Sequence, residues 1–249
     1  MLSTILSSCS KEDSNTNTPT SNPLLCKSYS VYTGSGLNAL ELSETFEFQY
    51  NNQGQVTSKI EKYYENSVAM GAHYFDYTYS GNTIIQNDYF EYNGNKSLLE
   101  ISYLKLNARN IVISDSNVDA TKPSNFRVRK YIYNTNNQLL YRYIGDTTNG
   151  SVFDWSNGNL TKEYLFNGLM GRFLIMTHIY GSKTNTLNTG NFWNDGGKSL
   201  NLPEKSLEPN YEYNYTYKIE SDGFISEKIT AVSSPGGSPY RYEKTVYTR

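Results

Sequence analysis

The chain has 249 residues, of which 22 are Lys or Arg and 24 are Asp or Glu, for a formal net charge of −2. That balance leaves no basic stripe to neutralise phosphates, so nucleic acid is excluded as a partner class. With 24 Tyr, 18 Gly and only 4 Met, and no apolar run in the body long enough for a transmembrane helix, the composition points to strands joined by tight turns.

The first feature in chain order is the run Leu6, Ser7, Ser8, Cys9. It resembles the lipobox of bacterial lipoproteins, and the resemblance implies acyl chains on the Cys9 sulfur, with the membrane as partner through that lipid anchor. Only Met1, Leu2, Ser3, Thr4 and Ile5 precede it, short of a basic and apolar leader, as a start assigned too far downstream would produce. Residues 10–23 are mainly Ser, Asn, Thr and Pro; such a stretch buries too little apolar surface to offset its ordering and reads as a flexible tether. Glu12 and Asp13 resemble the export signal that sends lipoproteins of the Bacteroidetes to the cell surface. An outer-membrane location facing outwards is therefore expected, with the periplasmic face as the alternative. Residues 1–26 are assigned to the truncated signal and tether, and residues 27–249 to a single β domain, because no Gly/Pro-rich linker divides the remainder. With Cys9 acylated, Cys26 has no disulfide partner, so the body must fold on its own core.

Along the body one hairpin recurs: an incoming aromatic strand, an Asn/Gly turn and an outgoing aliphatic strand. Gly34, Ser35 and Gly36 read as a turn and lack the rest of a dinucleotide loop. Phe46, Phe48 and Tyr50 lead through Asn51 and Gly54 to Val56, Ser58 and Ile60, and Tyr77 and Tyr79 lead through Gly81 and Asn82 to Ile84 and Ile85. Residues 114–125 look irregular and are expected to be a long connection. Arg127, Arg129 and Lys130 then form the densest basic group, expected to edge a strand and discourage unwanted pairing. Tyr131 and Tyr133 lead through residues 134–137 to Leu139, Tyr141 and Tyr143, and Phe153 and Trp155 lead through Asn157 and Gly158 to Leu160 and Tyr164. Phe173, Leu174, Ile175 and Met176 suit a buried strand or a short helix equally. Residues 181–209, with Trp193, Gly196 and Gly197, read as a second long connection. The clearest strand is 211–219, where Tyr211, Tyr213, Tyr215, Tyr217 and Ile219 alternate with polar residues. A turn at Asp222 and Gly223 sends it back through residues 224–232, where alternation is less clean.

These hairpins resemble the YD-type units of Bacteroidetes surface lipoproteins, and the body is similar to an uncharacterised lipoprotein family described as having a porin-like fold. The likeness is carried by Asn201, Leu202 and Pro203 ahead of Tyr213, Tyr215 and Tyr217, and by Asp222, Gly223 and Phe224. It implies an all-β fold: a single, highly curved antiparallel meander sheet, partial-barrel or porin-like. It brings no catalytic residues. A membrane-spanning barrel is disfavoured, because Tyr belongs at interfacial belts more than along a whole strand.

Catalytic chemistry finds little support. His73 and His178 are the two histidines, and neither stands at ligand spacing from Cys or His, so no metal and no cofactor is expected. His73 can be drawn with Asp76 as a pair, yet no serine elbow or reactive Cys accompanies it. Asp88, Asp146, Asp154 and Glu163 could supply two carboxylates for glycoside cleavage, with nothing in the sequence to set their separation. The leading reading is a surface-anchored, non-catalytic module binding a glycan or peptide through Tyr141, Tyr143, Trp155, Tyr164 and Trp193. The alternatives are a glycan-acting hydrolase and a purely structural part of a surface complex. Aromatic side chains fill cores as readily as they meet ligands, so each of these five has a packing role as its rival.

Overall fold

The computed structural model describes residues 25–145, 147–186 and 199–249. Cys9, the tether, Asp146, Trp193, Gly196, Gly197 and Lys198 lie outside the described residues. The described residues form sixteen strands. They are β1 (Ser28–Gly34), β2 (Glu41–Tyr50), β3 (Val56–Glu65), β4 (Val68–Ser80), β5 (Thr83–Tyr92), β6 (Asn95–Leu106), β7 (Val112–Asp119) and β8 (Phe126–Tyr133), then β9 (Leu139–Ile144), β10 (Asn149–Ser156), β11 (Asn159–Asn167), β12 (Gly171–Thr184), β13 (Asn201–Leu207), β14 (Glu212–Ile219), β15 (Ile225–Ser233) and β16 (Arg241–Thr248). Each pairs antiparallel with the next, and β1 pairs with β16, so the expected curved meander runs on to full closure as a barrel.

The recurring hairpin has a physical basis at one end of this barrel. Asn51 Oδ1 accepts from the N–H groups of Gln53 and Gln55 at 2.9 and 3.0 Å. Asn107 does the same for Arg109 and Ile111, and Asn134 for Asn136 and Gln138. Three residues after each of these Asn the chain enters the left-handed region, at Gly54 (φ 73°), Asn110 (59°) and Asn137 (61°), which Gly and Asn tolerate best. The register then slips one residue into the outgoing strand. Tyr50 faces Val56 but Gln49 faces Ser58, Tyr133 faces Leu139 but Ile132 faces Tyr141, and Trp155 faces Leu160 but Asp154 faces Lys162. Each slip is a bulge that turns the first aliphatic residue inward beside the aromatic and moves the remainder of the outgoing strand to the other face.

A second repeated device closes the same end. The last inward aromatic of an incoming strand donates to a carbonyl at the head of the preceding strand. Tyr50 Oη donates to Cys26 O (2.6 Å), Tyr79 Oη to Val56 O (2.9 Å), Tyr133 Oη to Val112 O (2.7 Å), Trp155 Nε1 to Leu139 O (2.8 Å) and Tyr217 Oη to Pro203 O (3.0 Å). The bodies of these rings pack against two buried clusters, one built from Phe48, Val56, Phe75, Tyr77, Ile84 and Leu104 among others, the other from Cys26, Leu202, Phe224, Ile225 and Tyr247. Side chains lining an open aqueous channel would be wetted on their inner side; these are less than a tenth exposed, so one end of the lumen is filled by its own side chains. The start of β1 and the end of β16 lie at this filled end.

Several sequence expectations are corrected. The first half of 114–125 lies in strand β7, whose inward residues Asp115, Asn117 and Asp119 are polar and so hide the apolar alternation. The stretch 181–209 is strand at both ends, in β12 and β13. Residues 173–176 lie in β12, not in a helix. Arg127, Arg129 and Lys130 edge nothing, because β8 is paired on both sides.

Candidate functional site

Register identifies the inner face. Phe46 and Phe48 face Glu61 and Lys59 on β3, which face His73 and Phe75 on β4, which face Phe90 and Asp88 on β5. Away from the filled end the inner rows turn from aromatic to charged, and the barrel becomes a cup. Lys59 Nζ stands 2.6 Å from Glu61 Oε1, and Tyr63 donates to the other Glu61 oxygen at 3.0 Å. His73 Nδ1 lies 2.8 Å from Asp88 Oδ1, with the rings of Tyr63, Phe75 and Phe90 around it. The His73–Asp76 pair that can be drawn from the sequence does not form, because Asp76 faces Ser58 and Asn87 on the outer row.

Further round the wall, Asp115 is 4% exposed and accepts from Arg129 Nε at 2.9 Å and from the Tyr131 hydroxyl at 2.5 Å. Burial first, and then this carboxylate, pushes the Tyr131 phenol above its ordinary value. Glu100 accepts from Asn117 Nδ2 at 2.6 Å and from Ser102 Oγ at 3.2 Å. Arg142 donates through Nη2 to Ser151 Oγ at 3.0 Å. Glu44 is raised above the usual carboxylate range by burial, with Glu61 and Glu243 adding like charge. Asp88 is raised by burial against the opposing pull of His73.

One cluster has the composition of a hydrolytic triad. His178 Nδ1 lies 2.8 Å from Ser206 Oγ and Nε2 lies 2.9 Å from Glu163 Oε1. Such a line needs a nucleophile that substrate can touch. Ser206 is 0% exposed and its hydroxyl is taken up by His178 and the Tyr215 phenol, so substrate cannot touch it. Of the four carboxylates considered for glycoside cleavage, Glu163 is held by His178 and Asp88 by His73. Asp154 stands on the outer wall with Arg172, and Asp146 is outside the described residues. Among the described residues no group of three or more His, Cys, Asp or Glu is arranged to hold a metal ion.

The five aromatics singled out from sequence divide. Trp155 packs against the inner core and donates to Leu139. Tyr141, Tyr143 and Tyr164 come together on the outer wall, because the bulge before Tyr141 flips that stretch of β9 outward to face Ile132, Lys130 and Val152. The Tyr141 and Tyr143 rings are parallel within 3°, with centroids 5.8 Å apart, and Tyr143 meets the Phe166 ring edge-on at 5.6 Å. Gly150 lies between Tyr143 and Phe166 in the ladder, and the two rings close over the missing side chain. The Arg172 guanidinium lies 4.1 Å from the Tyr164 ring and bonds Asp154 at 3.3 Å. Ile132 and Leu174 flank the patch, each close to half exposed. Sequence reading missed the inner arginines and the His178 cluster. Arg127 and Arg129 stood out only as part of a basic group, and His178 and Glu163 only singly; nothing in the local pattern pointed to Arg142 or to Ser206.

A closed antiparallel barrel of this form, with porin-like topology, is the class that these strands define. No family model and no curated protein matches the sequence. Among solved structures the chain is similar to a porin-like protein from Bacteroides uniformis, at 14% identity and a TM-score of 0.63, over 90% of this chain and 97% of that one. At this identity the likeness is one of fold.

Proposed function

We propose that this protein is a lipid-tethered, non-catalytic binding module, and that its ligand surface is the outer aromatic patch of β9–β12. The observation that carries this reading is the gathering of Tyr141, Tyr143 and Tyr164 on one outer face, where a closed barrel has no core to bury them. Flat rings beside the Arg172–Asp154 pair suit a glycan, whose C–H faces lie on aromatic rings while its hydroxyls meet charged groups.

Two features support binding over permeation. The lumen is filled with aromatic and aliphatic side chains at one end. The outer wall also carries ion pairs, Lys62–Glu47, Lys205–Glu212 and Lys244–Glu227, where a lipid-facing band would be apolar and where a basic side chain at mid-membrane costs about 2–4 kcal/mol.

Affinity electrophoresis through gels containing soluble polysaccharides tests the reading. The protein should be retarded by at least one polysaccharide, and Tyr141→Ala should weaken that retardation about tenfold. Equal retardation of both forms, or stepwise conductance in planar bilayers, would sink it; retention by a peptide library alone would move the ligand class to peptide.

A further inference from the structure

We propose that the cup contains an anion-binding site on its β8–β10 wall, centred on Arg142, for a carboxylate or sulfate group such as acidic sugars carry. The site is separate from the outer patch and does not depend on it.

Charge bookkeeping around the inner wall singles out this place. The inner carboxylates on either side are engaged: Glu61 by Lys59 and Tyr63, Asp88 by His73, Asp115 by Arg129 and Tyr131, and Glu163 by His178. Arg142 is different. It faces Tyr131 and Ser151 in the ladders, so it points into the lumen. Its hydrogen-bond partner is the neutral Ser151 hydroxyl, and its Nε is shielded from water with no acceptor. The guanidinium stands 5.9 Å from the Phe153 ring at the edge of the aromatic fill, which forms the floor beneath it.

Neighbouring residues extend the positive wall. Tyr131 is the direct cross-strand partner of Arg142, so Arg129, two residues away on β8, is its diagonal neighbour, about 7–8 Å off at the backbone. Arg127 follows on the same inward row nearer the open end and is exposed. Three guanidinium groups thus descend the wall; Asp115 pairs with Arg129, while Glu100, held by Asn117 and Ser102, and Asp119, bonded within its own turn, are the other carboxylates on this side. A guanidinium fork matches the paired oxygens of a carboxylate or sulfate. An anion entering from the open end would meet the exposed Arg127 first and settle against Arg142, the deeper cation, whose hydrogen-bond partner is a neutral hydroxyl.

The test is side-chain ¹⁵N NMR of the arginine Nε–Hε groups in the full barrel, titrated with sodium sulfate and with sodium glucuronate at constant ionic strength. The Arg142 resonance, identified by its loss in Arg142→Lys, should shift with saturation for at least one probe. Saturation by sulfate alone, by glucuronate alone or by both supports the site and names the group that it takes. Arg142→Gln should weaken the binding, read at the Arg129 resonance, about tenfold. Arg127→Gln, at an exposed position that does not hold the fold, should weaken it by a smaller factor. Tyr141→Ala should leave it unchanged, which separates failure here from failure of the outer platform. Linear shifts without saturation for both probes, or an unchanged affinity in Arg142→Gln, would overturn the proposal.

Discussion

Replacing Asp115 with Asn tests whether the polar inner wall is structural as well as charged. Asp115 is 4% exposed and serves two donors, Arg129 Nε at 2.9 Å and Tyr131 Oη at 2.5 Å. An amide keeps one acceptor oxygen and puts an N–H group where the other oxygen was, so one donor must lose its partner. Tyr131 is 6% exposed and has no water to turn to, whereas the Arg129 side chain is 38% exposed and does. The amide oxygen should therefore stay with Tyr131 and face its N–H group towards Arg129. A hydrogen bond to a charged group contributes roughly 1.5–3 kcal/mol, and the solvent available to Arg129 moves the estimate to the lower part of that range. A loss of about 2 kcal/mol in a chain of this size lowers Tm by about 4–8 °C. The control is Asp154→Asn on the outer wall, where both members of the Arg172 pair are nearly half exposed and the expected loss is at most about 1 kcal/mol. Thermal unfolding followed by far-ultraviolet circular dichroism gives both values. A loss for Asp115→Asn no larger than for Asp154→Asn would refute the reasoning.

Two further outcomes are expected. Gly150→Ala places a Cβ against the Arg142 carbonyl oxygen and the Phe166 ring; because backbone cannot retreat as a side-chain tip can, it should cost roughly 1–3 kcal/mol, and a denaturation midpoint equal to wild type would contradict the close approach. Cys26 is 0% exposed, donates to Ser28 O at 3.1 Å, and burial pushes its thiol up to about 11; in a Cys9→Ser protein at pH 8 it should stay protonated and resist a disulfide reagent until denaturant is added, and prompt labelling of the folded form would show the first strand to be open.

Much of the fold was legible because the incoming strands keep strict alternation. Phe46, Phe48 and Tyr50, or Tyr213, Tyr215 and Tyr217, all face inward with no interruption, so period two and the Asn/Gly turns located those hairpins. The outgoing strands were less readable for one recurrent reason: the bulge after their first residue changes which face the rest present. Residues 224–232 therefore looked irregular although β15 is paired throughout. Strand β7 was missed for a different reason. Its inward row of Asp115, Asn117 and Asp119 is satisfied by Arg129, Glu100 and local backbone, and a polar row that is paired inside a barrel has the same composition as a loop in water. Full closure could not be read from any one hairpin, since it depends on β1 meeting β16 across the whole chain.

The same bulge decides which aromatics can meet a ligand. Trp155 precedes the turn of its hairpin, keeps the inward parity of Phe153 and ends as a clasp on Leu139. Tyr141 comes after a turn and a bulge, so that it stands outside although Leu139, two residues earlier, is 3% exposed within the core. Simple alternation from Leu139 would have placed Tyr141 and Tyr143 in the lumen. Residue type therefore carries almost none of the distinction between platform and packing here; position relative to the bulge carries it. The inner charges obey a related rule. Arg142 lies outward if the parity of β9 is taken from Leu139, and inward once the slip between Ile132 and Tyr133 is included. Its placement beside Ser151, without an acid, is thus a product of cross-strand register and not of any local motif in the chain.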